Sequence, residues 1–469
     1  MSTIQLSRGA TDALAAQLAG PLFLRGDDGL AAEAAGFNLA ASHSPDVVVG
    51  AASAADVAAA VNFAAKHGLA VTVQATGHGA VAPITSGLLI TTKRLNALRL
   101  DATTRIASIG AGLPWQPVVA AAATKGLAPI TGSAPTVGAI GYTVGGGIGP
   151  LGRTFGFTSD YARGFEVVTA DGQIRRADSS QHPDLFWSLR GGKGGLGIVT
   201  SMDFELVPLT TLFGGGLFFA VEHIEAALRA WVDWTKNVPD TVNSSVALIR
   251  FPPLDAVPAP LRGKTVLHLR YAFIGDAAEG ARHLAPLRAA APVMIDGVAG
   301  MKADETAKIH NDPPGPLPAW VRGMMLKSID QDFVTTVLNV IGPNAQVPLV
   351  AVEIRHLGGA FARVPEGGDA VGGRQSPYTF NLVGAPVPDL FAAVLPRLAD
   401  RVTSTIAEWI SPETNVNFAM PFLSAEHYAS TWPAETLDRL ERIRAKYDPN
   451  GMFTFARQWS AARGAGAGA

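Results

Sequence analysis

Cysteine is absent from all 469 residues. Its absence excludes disulfides, thiolate nucleophiles and zinc–sulfur centres, and no metal site of another kind is expected. It also suits a reducing, cytoplasmic setting. Long hydrophobic runs are missing too. No stretch of about 18 uninterrupted apolar residues occurs, so no membrane span is expected. The first twenty residues lack a basic start followed by an apolar run, so no signal peptide is expected. Charge is sparse, at 16% of residues, and nearly balanced at a formal net −2. With no basic stripe, the chain has no electrostatic footprint for nucleic acid. There is no internal repeat.

Glycine is plentiful, at 51 residues, and apolar side chains make up 48% of the chain. A chain of this length exceeds one ordinary core and suits two domains, one interrupting the other. Glycines crowd into three places. The first is Gln74-Ala75-Thr76-Gly77-His78-Gly79, the second runs from Gly132 to Gly149, and the third from Gly191 to Gly197. Glycine lets backbone N–H groups approach a phosphate or a flat ring unobstructed. A histidine between two glycines is expected to be exposed, mobile and nucleophilic at neutral pH. Two segments, Gly147–Gly152 and Gly192–Gly197, match G-x-G-x-x-G. Neither lies between a strand and a helix as a nicotinamide-binding turn must. The three runs point to a phosphate-bearing cofactor rather than to ligand-free turns, and His78 makes a flavin the leading choice.

Strand and helix signals alternate through the first 208 residues. Short strands are expected at 46–50, 70–74 and 87–92, with Ser53 capping a helix that Gly68 stops. A hairpin is expected at 165–177 through its Asp171-Gly172 turn. Beyond Pro208 the texture changes. Long strands at 244–251, 265–273, 349–355 and 378–383 alternate with helices at 223–236 and 277–291, which suggests an antiparallel sheet with one covered face. The fold class is therefore α+β.

These motifs in this order are similar to the FAD-linked oxidases of the vanillyl-alcohol oxidase/p-cresol methylhydroxylase superfamily, and most of all to the berberine bridge enzyme-like group. The resemblance rests on a strand leading to Gly77-His78, a Pro135-Thr136-Val137-Gly138 segment with its glycine run, the Asp184-Leu-Phe-Trp187 stretch, and the third glycine run. It returns at 353–359 and 446–450. It implies an FAD-binding domain of two α/β subdomains (1–208, resumed at 416–463), an intervening substrate domain (209–415) and a disordered tail (464–469). It further implies that Gln74, Ala75, Thr76, Gly77 and Gly79 wrap the cofactor. Ser133, Ala134, Thr136, Val137, Gly138, Gly141, Gly145 and Gly146 would line it. Gly197, Ile198 and Val199 would lie at the adenine end, and Asn417 near the ring. His78 matches the histidine that bonds the flavin.

Ala134 stands where many members have a second, cysteinyl attachment. The resemblance is thus nearer the singly linked bacterial members, 6-hydroxy-D-nicotine oxidase among them, with FAD attached through His78 only. A tyrosine base found late in many members is missing here, where the chain reads Glu435-Thr-Leu-Asp-Arg-Leu440.

In the strand 349–355, residues 351, 353 and 355 share one face. Glu353 is therefore the leading candidate for base or orienter, with Arg355 beside it. Tyr378 is a further proton-handling candidate, and Arg250, His268, Arg270 and Asn381 are other polar residues of the same sheet. Rich in Val, Leu and Phe, these strands suggest an apolar pocket for an aromatic or alicyclic small molecule. The expected activity is hydride removal from a C–OH or C–N carbon, with dioxygen reduced to hydrogen peroxide. Two alternatives stand beside it: an oxygenating or oxidative-cyclising flavoenzyme of secondary metabolism, and a flavin-containing binding protein without catalysis.

Overall fold

The computed structural model describes residues 6–455 and Trp459. The expected disordered tail at 464–469 lies outside the described residues. Strands Val47–Gly50, Val71–Gln74 and Leu88–Thr91 form a parallel sheet, with Leu22–Leu24 added antiparallel at its edge. The helix Ala54–His67 crosses between the first two. Ser53 Oγ accepts the Asp56 N–H at its start, and Gly68 ends it in the left-handed conformation. A second, antiparallel sheet is ordered Leu98–Asp101, Ile106–Gly110, Ile198–Glu205, Ala162–Val168, Ile174–Ala177. Side chains of both sheets share one core. Tyr428, Trp432, Leu437, Leu440, Tyr447 and Phe453 enter it from the far end of the chain.

Residues between these parts build an eight-stranded antiparallel sheet. Its order is Val293–Asp296, Thr211–Phe219, Thr265–Phe273, Val242–Arg250, Leu349–His356, Tyr378–Gly384, Val321–Leu326, and Ala299–Lys302 also pairs with Thr211–Phe219. The strand Thr211–Phe219 departs from the sequence expectation because three successive glycines interrupt its pattern. Gly215 is needed there. Its φ is 143°, and a Cβ would lie 2.2 Å from the Gly297 carbonyl oxygen.

Alternation along this sheet decides where the site lies. Val246, Leu248, Leu267, Leu269, Val352, Ile354, Phe380 and Leu382 belong to a second core, together with side chains of helices Ile224–Trp234, Gln331–Ile341 and Val394–Thr405. Their neighbours in sequence project from the opposite face. That face carries Ser245, Ala247, His268, Arg270, Glu353, Arg355, Thr379 and Asn381. The expectation of an apolar pocket is therefore corrected: the apolar residues that suggested it pack under helices, and the free face is polar.

Candidate active site

The strand Val71–Gln74 delivers the chain into the first glycine turn. Gln74 is spent on structure: its Nε2 donates to the Ala34 carbonyl (2.8 Å) and its Oε1 bonds His43 Nε2 (2.9 Å). Gly77 has φ 74°, and a Cβ there would fall 2.5 Å from the Gly36 Cα. Among the described residues, the N–H groups of Thr76, Gly77, His78 and Gly79 find no protein acceptor. A Cβ on Gly79 or on Gly141 would meet nothing within 4 Å.

His78 is half-buried rather than exposed, which corrects the sequence expectation. Its ring stacks on Phe37 at 3.7 Å between centroids, with 16° between the planes. Nδ1 lies 2.9 Å from Thr76 Oγ1 and Nε2 lies 3.3 Å from Thr136 Oγ1. Burial pulls its pKa down to about 4, so the ring is neutral at pH 7 and keeps a nitrogen lone pair. Thr76 Oγ1 also accepts the Gly138 N–H (3.1 Å), which ties the first glycine turn to the second segment.

Within the second segment, a Cβ on Gly145 would lie 2.1 Å from Asn417 Oδ1, and Gly146 has φ 98°. Asn417 Nδ2 donates to the Tyr142 carbonyl (2.9 Å), and its Oδ1 accepts from Lys193 Nζ (2.8 Å). Lys193, in the third glycine run, has a left-handed φ of 67° and a pKa drawn down to about 8 by burial. Ala134 closes a turn through its carbonyl and the Val137 N–H. Gly197, with φ 138°, opens the strand that begins at Ile198. Ile198 is in the core, and Val137 and Val199 pack against it, so any contact with a cofactor would come through their backbones.

Across from these segments stands the polar sheet face. Register aligns it in rows: Arg270, Ser245, Arg355 and Thr379 in one, and His268, Ala247, Glu353 and Asn381 in the next. The Glu353 carboxylate accepts from Arg270 Nη1 through Oε1, and from Arg355 Nε (2.8 Å) and Asn381 Nδ2 (3.3 Å) through Oε2. Burial raises its pKa, but Arg355 and Arg270 outweigh burial and hold it below the usual carboxylate range. Arg355 also reaches the Ile148 carbonyl (3.3 Å) and lies over the Phe418 ring. Ser133 Oγ donates to Asp312 Oδ2 (2.5 Å). Sheet face and glycine segments are thus fastened together.

Glu353, Arg355, Arg270, His268 and Asn381 converge as the strand alternation implies. Tyr378 does not. It lies on the helix-packed face, where its hydroxyl meets Thr235 Oγ1 at 2.9 Å. Arg250 is also elsewhere, donating to the carbonyls of Ile341 and Gly342 at the end of a helix. Sequence reasoning missed Lys193, Asp312 and His310. His310 is 6% exposed, and its Nε2 lies 3.6 Å from Glu353 Oε1. The only signal for the last two was a His-Asn-Asp cluster ahead of Pro313-Pro314.

FAD suits this arrangement. The run of unpaired N–H groups at Thr76–Gly79 matches a pyrophosphate. Across from it, Ser245 Oγ, Asn381 Oδ1 and both His310 ring nitrogens are buried without a hydrogen-bond partner among the described residues. Buried polar atoms of that kind call for a ligand.

Comparison with known proteins agrees. A family model described as an FAD binding domain matches residues 45–178. The uncharacterized FAD-linked oxidoreductase YvdP of Bacillus subtilis (strain 168) is 27% identical over 465 residues, covering 94% of this chain and 97% of that protein. The crystal structure of 6-hydroxy-D-nicotine oxidase from Arthrobacter nicotinovorans superposes with a TM-score of 0.79 at 21% identity, covering 96% of this chain and 98% of that one. Glucooligosaccharide oxidase from Acremonium strictum, described with a 6-S-cysteinyl, 8α-N1-histidyl FAD, gives 0.80 at 21% identity, covering 95% and 97%.

Proposed function

We propose that this chain, an FAD-dependent oxidoreductase with the fold of the berberine bridge enzyme-like oxidases, is an oxidase that removes a hydride from a C–OH or C–N carbon of a small molecule and uses dioxygen as acceptor. In this reading residues 1–208 and 416–463 hold the cofactor, and residues 209–415 cover it with the polar sheet face. Bound there, FAD supplies the two-electron chemistry, taking a hydride equivalent from carbon and passing the electrons to dioxygen.

The protein's part is position and proton handling. The N–H groups of Thr76–Gly79 hold the pyrophosphate. His78, kept neutral and fixed between Thr76, Thr136 and Phe37, is the covalent attachment point. Ala134 offers no second one. Asn417 and Lys193 brace the segment Gly141–Gly146 against the ring. Glu353 keeps the guanidinium groups of Arg270 and Arg355 side by side, so that their remaining N–H donors meet a substrate oxygen or nitrogen. A face built of Arg, His, Asn and Ser suits a substrate with hydroxyl or amino groups. The observation that carries the reading is the attachment of this face to the second glycine segment through Arg355 and the Ile148 carbonyl.

Acid denaturation of the purified protein tests the first half. Flavin fluorescence should stay with the wild-type chain and be lost from His78→Ala. Anaerobic bleaching of the flavin by hydroxylated and amino compounds, with peroxide formed on readmitting air, tests the second. Flavin that bleaches with dithionite but with no organic donor would sink the oxidase reading.

A further inference from the structure

The clearest unused group in the molecule is His310. It follows a 3-10 helix, Ala303–Ile309, that leads from one edge of the sheet over the polar face. Its side chain is 3% exposed. Both ring nitrogens are without a hydrogen-bond partner among the described residues. A neutral imidazole always presents one N–H and one lone pair, and leaving either buried and unmet costs about 1–3 kcal/mol. The surroundings explain why no protein group meets them. Arg270 and His268 come from one strand, Glu353 and Arg355 from another, and Asp312 lies two residues on in the same loop. None makes a hydrogen bond to the ring. Glu353 Oε1 is 3.6 Å away and already accepts from Arg270.

The other candidate bases are occupied, face away or hold their protons. The Glu353 carboxylate already accepts from Arg270, Arg355 and Asn381. His268 stacks on Phe218 at 4.1 Å, and its Nδ1 accepts from Arg270 Nε at 3.3 Å. Tyr378 points to the helices. Tyr142 is buried, and its pKa is raised by that burial, so it keeps its proton.

We propose that His310 is a catalytic residue: its free ring nitrogen takes the O–H or N–H proton of the substrate beside Arg270 and Arg355. This rests on the oxidase reading above. The substrate O–H (or N–H) bond breaks and its proton goes to imidazole. The C–H pair leaves with its hydrogen to the oxidised flavin, and the carbon–heteroatom double bond forms. Burial and the guanidinium groups of Arg270 and Arg355 hold the pKa of the free ring well below 6.5, and in the complex the ionised Glu353, 3.6 Å away, and the substrate oxyanion beside the ring offset them. The two guanidinium groups favour the oxyanion as it develops.

The test needs no turnover and no covalent flavin. FAD-loaded wild-type protein is titrated with 4-nitrophenol, one pH unit below that phenol's own pKa. Its ionisation is read from its absorbance after subtraction of the flavin spectrum. Calorimetry in two buffers of different ionisation enthalpy counts the protons released. We expect the bound phenol to be ionised with no net proton released, because the proton stays on His310. In His310→Gln and His310→Ala the ionised fraction should fall at least fivefold, and free imidazole should restore it in the alanine variant. A phenol that does not bind, or that binds neutral, overturns the proposal. So does an ionised phenol that releases one proton to buffer, since the arginines alone would then suffice. The wild-type result stands even if both variants fold poorly. Failure here with intact donor-driven bleaching would remove His310 and leave the oxidase, whereas no bleaching with an ionised, proton-conserving phenol would do the reverse.

Discussion

Glu353 is a buried carboxylate with a guanidinium on each oxygen, so removing its charge strands two arginines. Breaking a buried pair in this way costs about 3–5 kcal/mol. Glu353→Gln should therefore lower the urea midpoint by that equivalent, besides impairing flavin reduction. An unchanged midpoint would mean that water reaches the arginines and the cluster is open. At this scale the placement of His78 in the first glycine turn, and of Glu353 and Arg355 on one face of a strand, was legible in the sequence. Glycine neighbours marked the first, and the two-residue repeat of a strand put the other two on one face. Tyr378 was misread because its strand is one position out of phase with the site: Thr379 and Asn381 face the cluster, and Tyr378 faces the helices. His310 was invisible because a loop position has no periodicity. Its proximity to Glu353 is created by the chain folding back over the sheet.

Elements carry their own tests. Arg250 is bonded to the last carbonyls of the helix Gln331–Ile341, where a cation is favoured by unpaired C=O groups. Arg250→Ala should lower stability by about 1–2 kcal/mol in chemical denaturation. Because it stands on the covered face, rates of flavin reduction should not change. Gly323 is the opposite case. A Cβ there would lie 2.6 Å from Asn381 Oδ1 and 2.7 Å from the Phe418 Cβ, where sheet and cofactor part meet. Gly323→Ala should push Asn381 off Glu353 and slow reduction more than it lowers stability, an overpacking cost of about 1–3 kcal/mol. Wild-type reduction kinetics in this variant would show that Asn381 is dispensable. Helix boundaries with chemical stops, such as Ser53 and Gly68, were read correctly. The strand Thr211–Phe219 was missed because the glycines that fit it against Gly297 erase the alternation that defines a strand.

For the whole molecule, acid sensitivity follows from histidine. His43, His78, His268, His310, His356 and His427 all have pKa values lowered from 6.5, chiefly by burial. Below 6.5 the unfolded chain binds protons that the folded chain refuses. Their contribution is full above that pH and declines as pH falls toward the folded values. The melting temperature should be level above about pH 7 and drop by several degrees by about pH 5. A flat profile over that range would mean these rings protonate in place. The α+β class was legible from texture alone. The polarity of the site was not, since composition does not say which face of a strand is turned where.

Trp432, Leu437, Leu440 and Phe453 fill the same core as Val47 and Phe165, and the Val71 N–H donates to the Met452 carbonyl at 2.9 Å. Synthesis on the ribosome proceeds from the other end. At about 5–20 residues per second, the first 208 residues emerge roughly 10–50 s before the segment that completes their core. During that interval they present an open apolar wall to the cell. Chaperone protection of the nascent chain, and cofactor loading only after release, are what this threading demands.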